Sequence, residues 1–319
     1  MDVNREMKRY IIKRVLTMFV TLFIVITGVF FIIRLVPGDP LASMARNLPE
    51  QIKRNFYAKY GLDKSLIIQY FSYMKELFLG NMGESLVYTG RTISGIIKTA
   101  SPVSARINIQ SILFGVGSGL LLGLIAATKK GKWPDYLVMF IAISGVAIPS
   151  FVMATTLQYL LTVKFNLLPT IGYKAGIKGL KYTILPTLAL SFGSIAVYAR
   201  YFRASVLDVL SQDYILTARS KGVSGFRMAW NHVGKNALLP IITMLGPQIA
   251  GIFVGSFVIE SIFAIPGFGQ IYVDAINNRD FTMILGQTIL VNGLYIFSLF
   301  MVDMLYGLID PRIKIFKKE

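Results

Sequence analysis

The chain has 319 residues, 54 % of them hydrophobic and only 15 % charged, with a mean hydropathy of +0.61; soluble domains carry about a quarter charged residues, so a soluble globule is excluded. Cysteine is absent, which removes disulfides, thiolate nucleophiles and cysteine-held metals. The net charge of +17 invites a nucleic-acid reading, but groove-reading and base-stacking motifs are missing, and basic residues in so apolar a chain mark the cytoplasmic flanks of membrane helices.

The first apolar run covers residues 11–33 and meets no charge inside it after Arg14 until Arg34. At about 1.5 Å per residue it reaches roughly 34 Å, enough for one crossing of a ~30 Å hydrocarbon core. Arg5, Lys8, Arg9, Lys13 and Arg14 lie at its start and no small-residue cleavage site follows, so it reads as a retained span rather than a signal peptide. Further spans are predicted at 103–128, 136–163, 184–201, 239–263 and 284–308. The third contains Ile148-Pro149-Ser150 and should kink or break there. The predicted fold class is an all-α integral membrane protein with six transmembrane helices. With the N-terminus in the cytoplasm, the short inner segments hold 18 Lys/Arg, whereas the short outer loops hold five: Lys164, Lys174, Lys178, Lys181 and Arg279. The nine in the loop 34–101 count little, because long loops translocate largely regardless of charge. Both termini are therefore predicted to be cytoplasmic.

Two hydrophilic segments are too long to be turns. In the first, 34–101, Leu66, Ile67, Tyr70, Phe71, Met74, Leu77 and Phe78 recur at helical spacing and Gly80 falls where a C-terminal cap belongs. This predicts an amphipathic helix packed on the outer face of the bundle, with a structural or a substrate-handling role. In the second, about 203–238, residues 206–216 read as the end of a helix, Gly222 as a stop and sharp turn, and 226–236 as another helical stretch. Pro240 is placed at the start of the fifth span, where a proline is tolerated. A short helix held between two others is a docking element, the alternative being a solvated basic loop.

Gly115, Gly119 and Gly123 form two overlapping Gly-x-x-x-Gly steps and Gly251/Gly255 a third, a spacing that lets helices approach closely within the subunit or at a moving interface. Asn108, Gln110, Gln158, Gln248, Gln287, Asn292 and Asp303 lie in or near spans, where polar groups face the bundle interior or a watery path. Asp303 is expected to partner a base such as Arg200 or Arg203. So few intramembrane charges do not make a proton relay.

Four segments, in order, carry a family resemblance. They are Arg34-Leu35-Val36-Pro37-Gly38-Asp39-Pro40; Asp213-Tyr214 with Thr217-Ala218-Arg219-Ser220-Lys221-Gly222 and Asn236-Ala237-Leu238-Leu239-Pro240; Glu260-Ser261-Ile262-Phe263 leading to Pro266-Gly267-Phe268-Gly269, Ala275-Ile276 and Arg279-Asp280; and Asp303, Tyr306 and Asp310-Pro311-Arg312-Ile313. In these the chain resembles the membrane-spanning permease subunits of ATP-binding-cassette importers of the peptide/nickel class, specifically the first (B-type) oligopeptide/dipeptide permease of the pair. It departs from the wider superfamily's Glu-Ala-Ala at Leu216 and Thr217 and matches at Ala218.

The resemblance implies a type I importer transmembrane domain in the cytoplasmic membrane of a prokaryote. Residues 1–34 would be the N-terminus and first span, 35–101 the extracytoplasmic loop, 102–308 a five-helix core and 309–319 the cytoplasmic tail. The subunit would form half of a path for peptides, oligopeptides first, with dipeptides, glutathione or nickel complexes as alternatives. Implied partners are a second homologous permease, one or two kinds of ATPase subunit, an extracytoplasmic substrate-binding protein and membrane lipid, with no nucleic acid. No Gly-x-x-x-x-Gly-Lys-Ser/Thr occurs, so the chain is expected not to be an enzyme and to bind no cofactor, ATP and Mg residing on the partners. Contact with the ATPase is assigned to Asp213, Tyr214, Thr217, Ala218, Arg219, Ser220, Lys221 and Gly222: Ala218 and Gly222 for close fit, Arg219 and Lys221 for charge pairing. Outer-gate candidates are Glu260, Pro266, Gly267, Phe268 and Gly269; path candidates are Pro149, Gln158, Gln248 and Asn292. Two other classes compete. A membrane enzyme lacks His-Glu-x-x-His and Gly-x-Ser-x-Gly here, and an ATP-independent secondary transporter or channel would need no ATPase.

Overall fold

The computed structural model describes residues 3–35, 49–223 and 225–309. The Pro37-Gly38-Asp39-Pro40 and Asp310-Pro311-Arg312-Ile313 segments lie outside them. The described residues are helical, with one isolated antiparallel bridge between Glu84 and Thr92. In order come α1 (Val3–Leu35), α2 (Glu50–Lys59), α3 (Leu66–Phe78), α4 (Ile93–Thr128), α5 (Trp133–Ala147), α6 (Ser150–Gln158), α7 (Leu180–Leu210), α8 (Asp213–Ser220), α9 (Lys235–Ala250), α10 (Phe257–Ile262), α11 (Phe268–Asn277) and α12 (Phe281–Ile309).

Among the described residues five helices are long and apolar enough to cross a membrane, and six if the pair α5 and α6, with its π-helical end Tyr159–Lys164, is one broken span. The break is sharper than a kink: the two halves meet at 104°. Pro149 pushes the preceding residue out of helical conformation, and Ile148 is extended at φ −85°, ψ 118° before the helix restarts at Ser150.

The expected fifth span, 239–263, is corrected at both ends. A π-helical turn, Met228–Gly234, feeds directly into α9, so Pro240 sits inside a helix rather than at its start. A proline there cannot donate to the carbonyl four residues earlier, that of Asn236; Ser205 Oγ donates to the adjacent Ala237 carbonyl at 2.9 Å. At the other end α9 stops at Ala250, a 3₁₀ turn covers Gly251–Phe253, and Gly255 takes φ +72° before α10 begins. Gly251 and Gly255 therefore do not share a helix face. The expected helix end at 206–216 is also two elements, because Ser211-Gln212 separates α7 from α8.

The chain divides into two compact units, residues 1–102 with 268–319, and residues 103–267. In the first, α1 packs along α12 and α11 folds back on α12. Phe30, Ile33, Leu86, Phe281 and Leu285 form one buried cluster, and Ile26, Met74 and Ile289 another. The amphipathic α3 lies here as its spacing predicts, ending in a Schellman cap with Gly80 at φ +80°. It steps along α1 through Gln69 on Arg34, Tyr70 on Thr27 and Met74 beside Ile26. Only part of its apolar stripe is buried, since Ile67, Phe71 and Phe78 remain exposed.

In the second unit α7 is the central helix, contacted by α5, α6 and α9. The Gly115/Gly119/Gly123 stripe of α4 also lies on it. A Cβ at these positions would stand 2.8 Å from Ser194 Cβ, 2.7 Å from Tyr198 Cβ and 2.7 Å from the Ala199 carbonyl. Gly145 of α5 is equally tight, 2.6 Å from Ala196 Cβ. Of the two roles expected for the α4 stripe, the geometry is packing within the subunit.

Candidate functional site

The segment before Gly222, expected to dock a partner, folds as α8 in the second unit. Ile215 and Ala218, one turn apart, are buried in a cluster with Phe202, Val206, Met228 and Val233. Asp213, Tyr214, Leu216, Thr217, Arg219, Ser220 and Lys221 are exposed. Ala218, expected to fit closely against a partner, is thus buried against its own chain; the exposed face is acidic at its start and basic at its end. The helix closes in a Schellman motif, with the Gly222 N–H on the Arg219 carbonyl at 2.9 Å and the Val223 N–H on the Ala218 carbonyl at 3.1 Å. Gly222 takes φ +76°, and a Cβ added there would meet nothing within 4 Å, so its need is conformational, not spatial. Asn236 Nδ2 donates to the Tyr214 hydroxyl at 2.9 Å, which ties α8 to the start of α9. Beside it runs an apolar hollow of about 910 Å³ floored by Leu120, Leu124, Phe202 and Val206, with Arg219 and Gly222 at its rim.

The second cluster is built around Glu260 on α10. Its carboxylate is buried and accepts from Ser104 Oγ at 2.6 Å. Asn108, one turn further along α4, donates to the Ile252 carbonyl at 3.0 Å. Glycine is required at 255 and 267, where a Cβ would overlap that carboxylate. The chain turns out of α10 with Ala264 at φ +50°, and the Ile265 N–H returns to the Glu260 carbonyl at 2.8 Å. Of the other gate candidates, Pro266 is exposed and Gly267 buried. Phe268 and Gly269 are buried at the start of α11, in the other unit.

The path candidates Pro149, Gln158 and Gln248 belong to the second unit and Asn292 to the first. Pro149 is an exposed hinge at the start of α6. Gln158 donates to the Thr170 carbonyl at 2.9 Å and the Ile262 carbonyl at 3.4 Å, stapling the 165–176 loop to α10. Gln248 reaches Ser194 Oγ at 3.4 Å and leaves its own oxygen buried and, among the described residues, unpaired. Asn292, in the first unit, donates to the Thr288 carbonyl in its own helix at 2.8 Å. Gln110 and Gln287 likewise bond within their units, to Thr187 and to the Phe268 carbonyl.

Two carboxylates that hold this architecture are not marked for these roles by the sequence reading. Asp135 is buried and takes Arg203 in a two-pronged pair at 2.5 and 2.8 Å, while its second oxygen accepts the Gly131 N–H at 3.0 Å. Arg203 is thereby committed to Asp135; the side chain of Asp303, its expected partner, lies outside the described residues. Arg200 lies over the Tyr201 ring. Asp280 caps α12 through the Met283 N–H at 3.0 Å and also binds Ser85 Oγ and the Leu86 and Val87 N–H groups. The signal for Asp280 is an Asp directly before an apolar run; for Asp135 it is a carboxylate in the first turn of a span.

Residues 119–315 match the family described as "Binding-protein-dependent transport system inner membrane component", and residues 7–93 that described as "Binding-prot-dependent transport system membrane comp, N-term". The chain is 40 % identical over 312 residues to the dipeptide transport system permease protein DppB of Bacillus subtilis, covering 98 % of this chain and 100 % of that protein. It is 42 % identical over 308 residues to the oligopeptide transport system permease protein OppB of Salmonella typhimurium, covering 97 % and 100 %. A crystal structure of an amino acid ABC transporter with histidines aligns at TM-score 0.49 and 17 % identity, over 69 % of this chain and 95 % of that one.

Proposed function

The chain belongs to the family of binding-protein-dependent transport system inner membrane components, and from that membership we propose that it is the permease subunit of an ATP-driven importer forming half of a path for peptides. The observation that carries the cargo class is identity of 40–42 % along the full length of peptide permeases. The relatives include carriers of oligopeptides and of dipeptides, so both cargo lengths are tested. A strain lacking this subunit should lose uptake of a radiolabelled oligopeptide, of a dipeptide, or of both, and recover it with the gene restored. Unchanged uptake of both overturns the reading.

Both termini, the 129–132 turn and α8 face the cytoplasm in this proposal, following the distribution of Lys and Arg. The exposed face of α8, Asp213, Tyr214, Thr217, Arg219, Ser220 and Lys221 with Gly222 behind it, docks an ATPase on a separate polypeptide that holds ATP and Mg. Because Ile215 and Ala218 lock into the cluster shared by α7 and the 228–241 segment, a push on α8 moves both attached spans together. That is rigid-body switching between two packed arrangements, with closure of the ATPases biasing one of them. In the same unit as α8, Glu260, seated between two glycines and Ser104, braces the extracytoplasmic gate at Pro266 and Gly267. In the second unit Pro149, Gln158 and Gln248 border the path, Gln248 with an oxygen that has no partner among the described residues. A second permease completes the pore and an extracytoplasmic binding protein delivers the cargo. The exposed apolar side of α1, with Leu16, Phe19, Val20 and Phe23, faces lipid or that second permease.

A further inference from the structure

The first unit contains a cleft of about 490 Å³ that none of these roles uses. It is walled by the end of α1, the turn after α2, one face of α3, the 81–86 segment and the start of α12. Its size falls in the range of about 300–1,000 Å³ usual for small-ligand sites. Its charged lining is Arg34, Lys59 and Lys64 against Glu76 and Glu84. Lys59 and Glu84 are paired with each other at 3.0 Å, and Glu76 accepts only from Asn81 Nδ2, at 2.8 Å, among the described side chains.

Arg34 is the unusual group. Its guanidinium lies 3.5 Å over the Phe30 ring, its Nε donates to Gln69 Oε1 at 3.1 Å and its Nη1 to the Phe30 carbonyl at 3.3 Å. Stacking and two hydrogen bonds thus fix the plane of the fork, yet no carboxylate pairs with it among the described residues. Tyr73 packs on the same Phe30 ring and buries a hydroxyl that finds no hydrogen-bond partner among the described residues. A partly desolvated cation with no counter-ion is unfavourable, and a guanidinium held flat, with its Nη2 uncommitted among the described residues, is preorganised for a two-oxygen anion. Glu76 gives the same cleft a group for a cation.

We propose that this cleft is an accessory cargo site, taking the C-terminal carboxylate of a short peptide on Arg34 and its ammonium toward Glu76. The proposal rests on the peptide reading above. A lipid phosphate offers Arg34 a similar anion, and the experiment separates the two sources. The complete transporter, purified with its partner permease and ATPases in phosphatidylcholine nanodiscs and without binding protein, is incubated with a radiolabelled tripeptide carrying p-benzoylphenylalanine. Saturable binding is expected, with photo-adducts mapping to residues 58–86. Arg34→Gln should weaken it about tenfold or more, the loss of one charge-assisted hydrogen bond, and amidation of the peptide C-terminus should do the same. Arg34→Lys should restore part of the loss, and Glu76→Gln, on an exposed side chain, should weaken binding of the free-amine peptide but not of its N-acetyl form. Equal binding of acid and amide, adducts confined to other segments, or displacement by glycerophosphoglycerol but not by unlabelled peptide would overturn the proposal. If the wild-type transporter imports peptide while the cleft binds none, this inference alone falls. If it imports no peptide, the functional reading falls and takes the inference with it.

Discussion

Gly222, Ala264 and Arg279 occupy the same position after three different helices, each in the left-handed region and each followed by an N–H that returns to the helix. The two that are not glycine each carry about 1 kcal/mol of backbone cost, which their surroundings must hold in place. At Gly222 a side chain would meet nothing, so Gly222→Val should fold and insert with a penalty of about 1 kcal/mol while tilting the end of α8. The expected result is nucleotide hydrolysis that continues with peptide uptake lost; normal uptake would show that α8 is not the coupling contact. Asp280→Ala removes a helix cap and strands the donors of Ser85, Leu86 and Val87. It should lower stability by about 2–4 kcal/mol, seen as a fall in Tm of the detergent-solubilised protein. Burial pushes the Tyr73 phenol well above its ordinary range, opposed more weakly by the Arg34 charge. The folded state therefore holds the neutral phenol, its contribution is intact below about pH 10, and it is lost as pH rises further. Tyr73→Phe should accordingly flatten the alkaline loss of stability in a thermal-melt series.

The helices of the second unit are held by two devices of opposite character. Along α4 the glycine stripe brings backbone against α7, so Gly119→Leu would force a side chain where even a Cβ lies 2.7 Å from Tyr198 Cβ. Overpacking of this kind costs about 1–3 kcal/mol, and the substitution should reduce Tm and the yield of assembled transporter, whereas the same change at Gly117, with open space around it, should not. Between α5 and α7 the link is ionic. Arg203→Ala would leave Asp135, 5 % exposed at its side chain, without its partner. That should cost about 3 kcal/mol, with Asp135→Asn in the same background recovering part of it in a double-mutant cycle.

At the scale of the molecule, the chain belongs to a binding-protein-dependent transport family and carries no Gly-x-x-x-x-Gly-Lys-Ser/Thr, and the proposed function places ATP hydrolysis on separate subunits. The permease should co-purify with ATPase subunits and a second permease, and peptide uptake in proteoliposomes should be sensitive to vanadate. Uptake that persists without ATPases would identify an ATP-independent carrier.

Apolar run length, charge bias and local caps are properties of the chain itself and are legible in it directly. The spans around 11–33, 103–128 and 284–308, the break at Pro149, the amphipathic helix at 66–78 with its Gly80 stop and the turn at Gly222 all follow from periodicity, proline geometry and the demand for positive φ. Hydropathy does not place the end of the fifth span, because residues 251–263 are as apolar as a helix core while Gly255 turns the backbone. It is equally blind to Pro240, which lies inside a helix that a π turn feeds. Which face of α8 is free depends on Ile215 and Ala218 meeting Phe202 and Met228, residues distant in the chain. So do the partners of Asp135, Glu260 and Asp280, since a carboxylate's counterpart is chosen by which helices pack side by side. The short helix before Gly222, proposed above to dock an ATPase, is thus legible as a segment from sequence, and only tertiary packing decides which of its side chains are exposed.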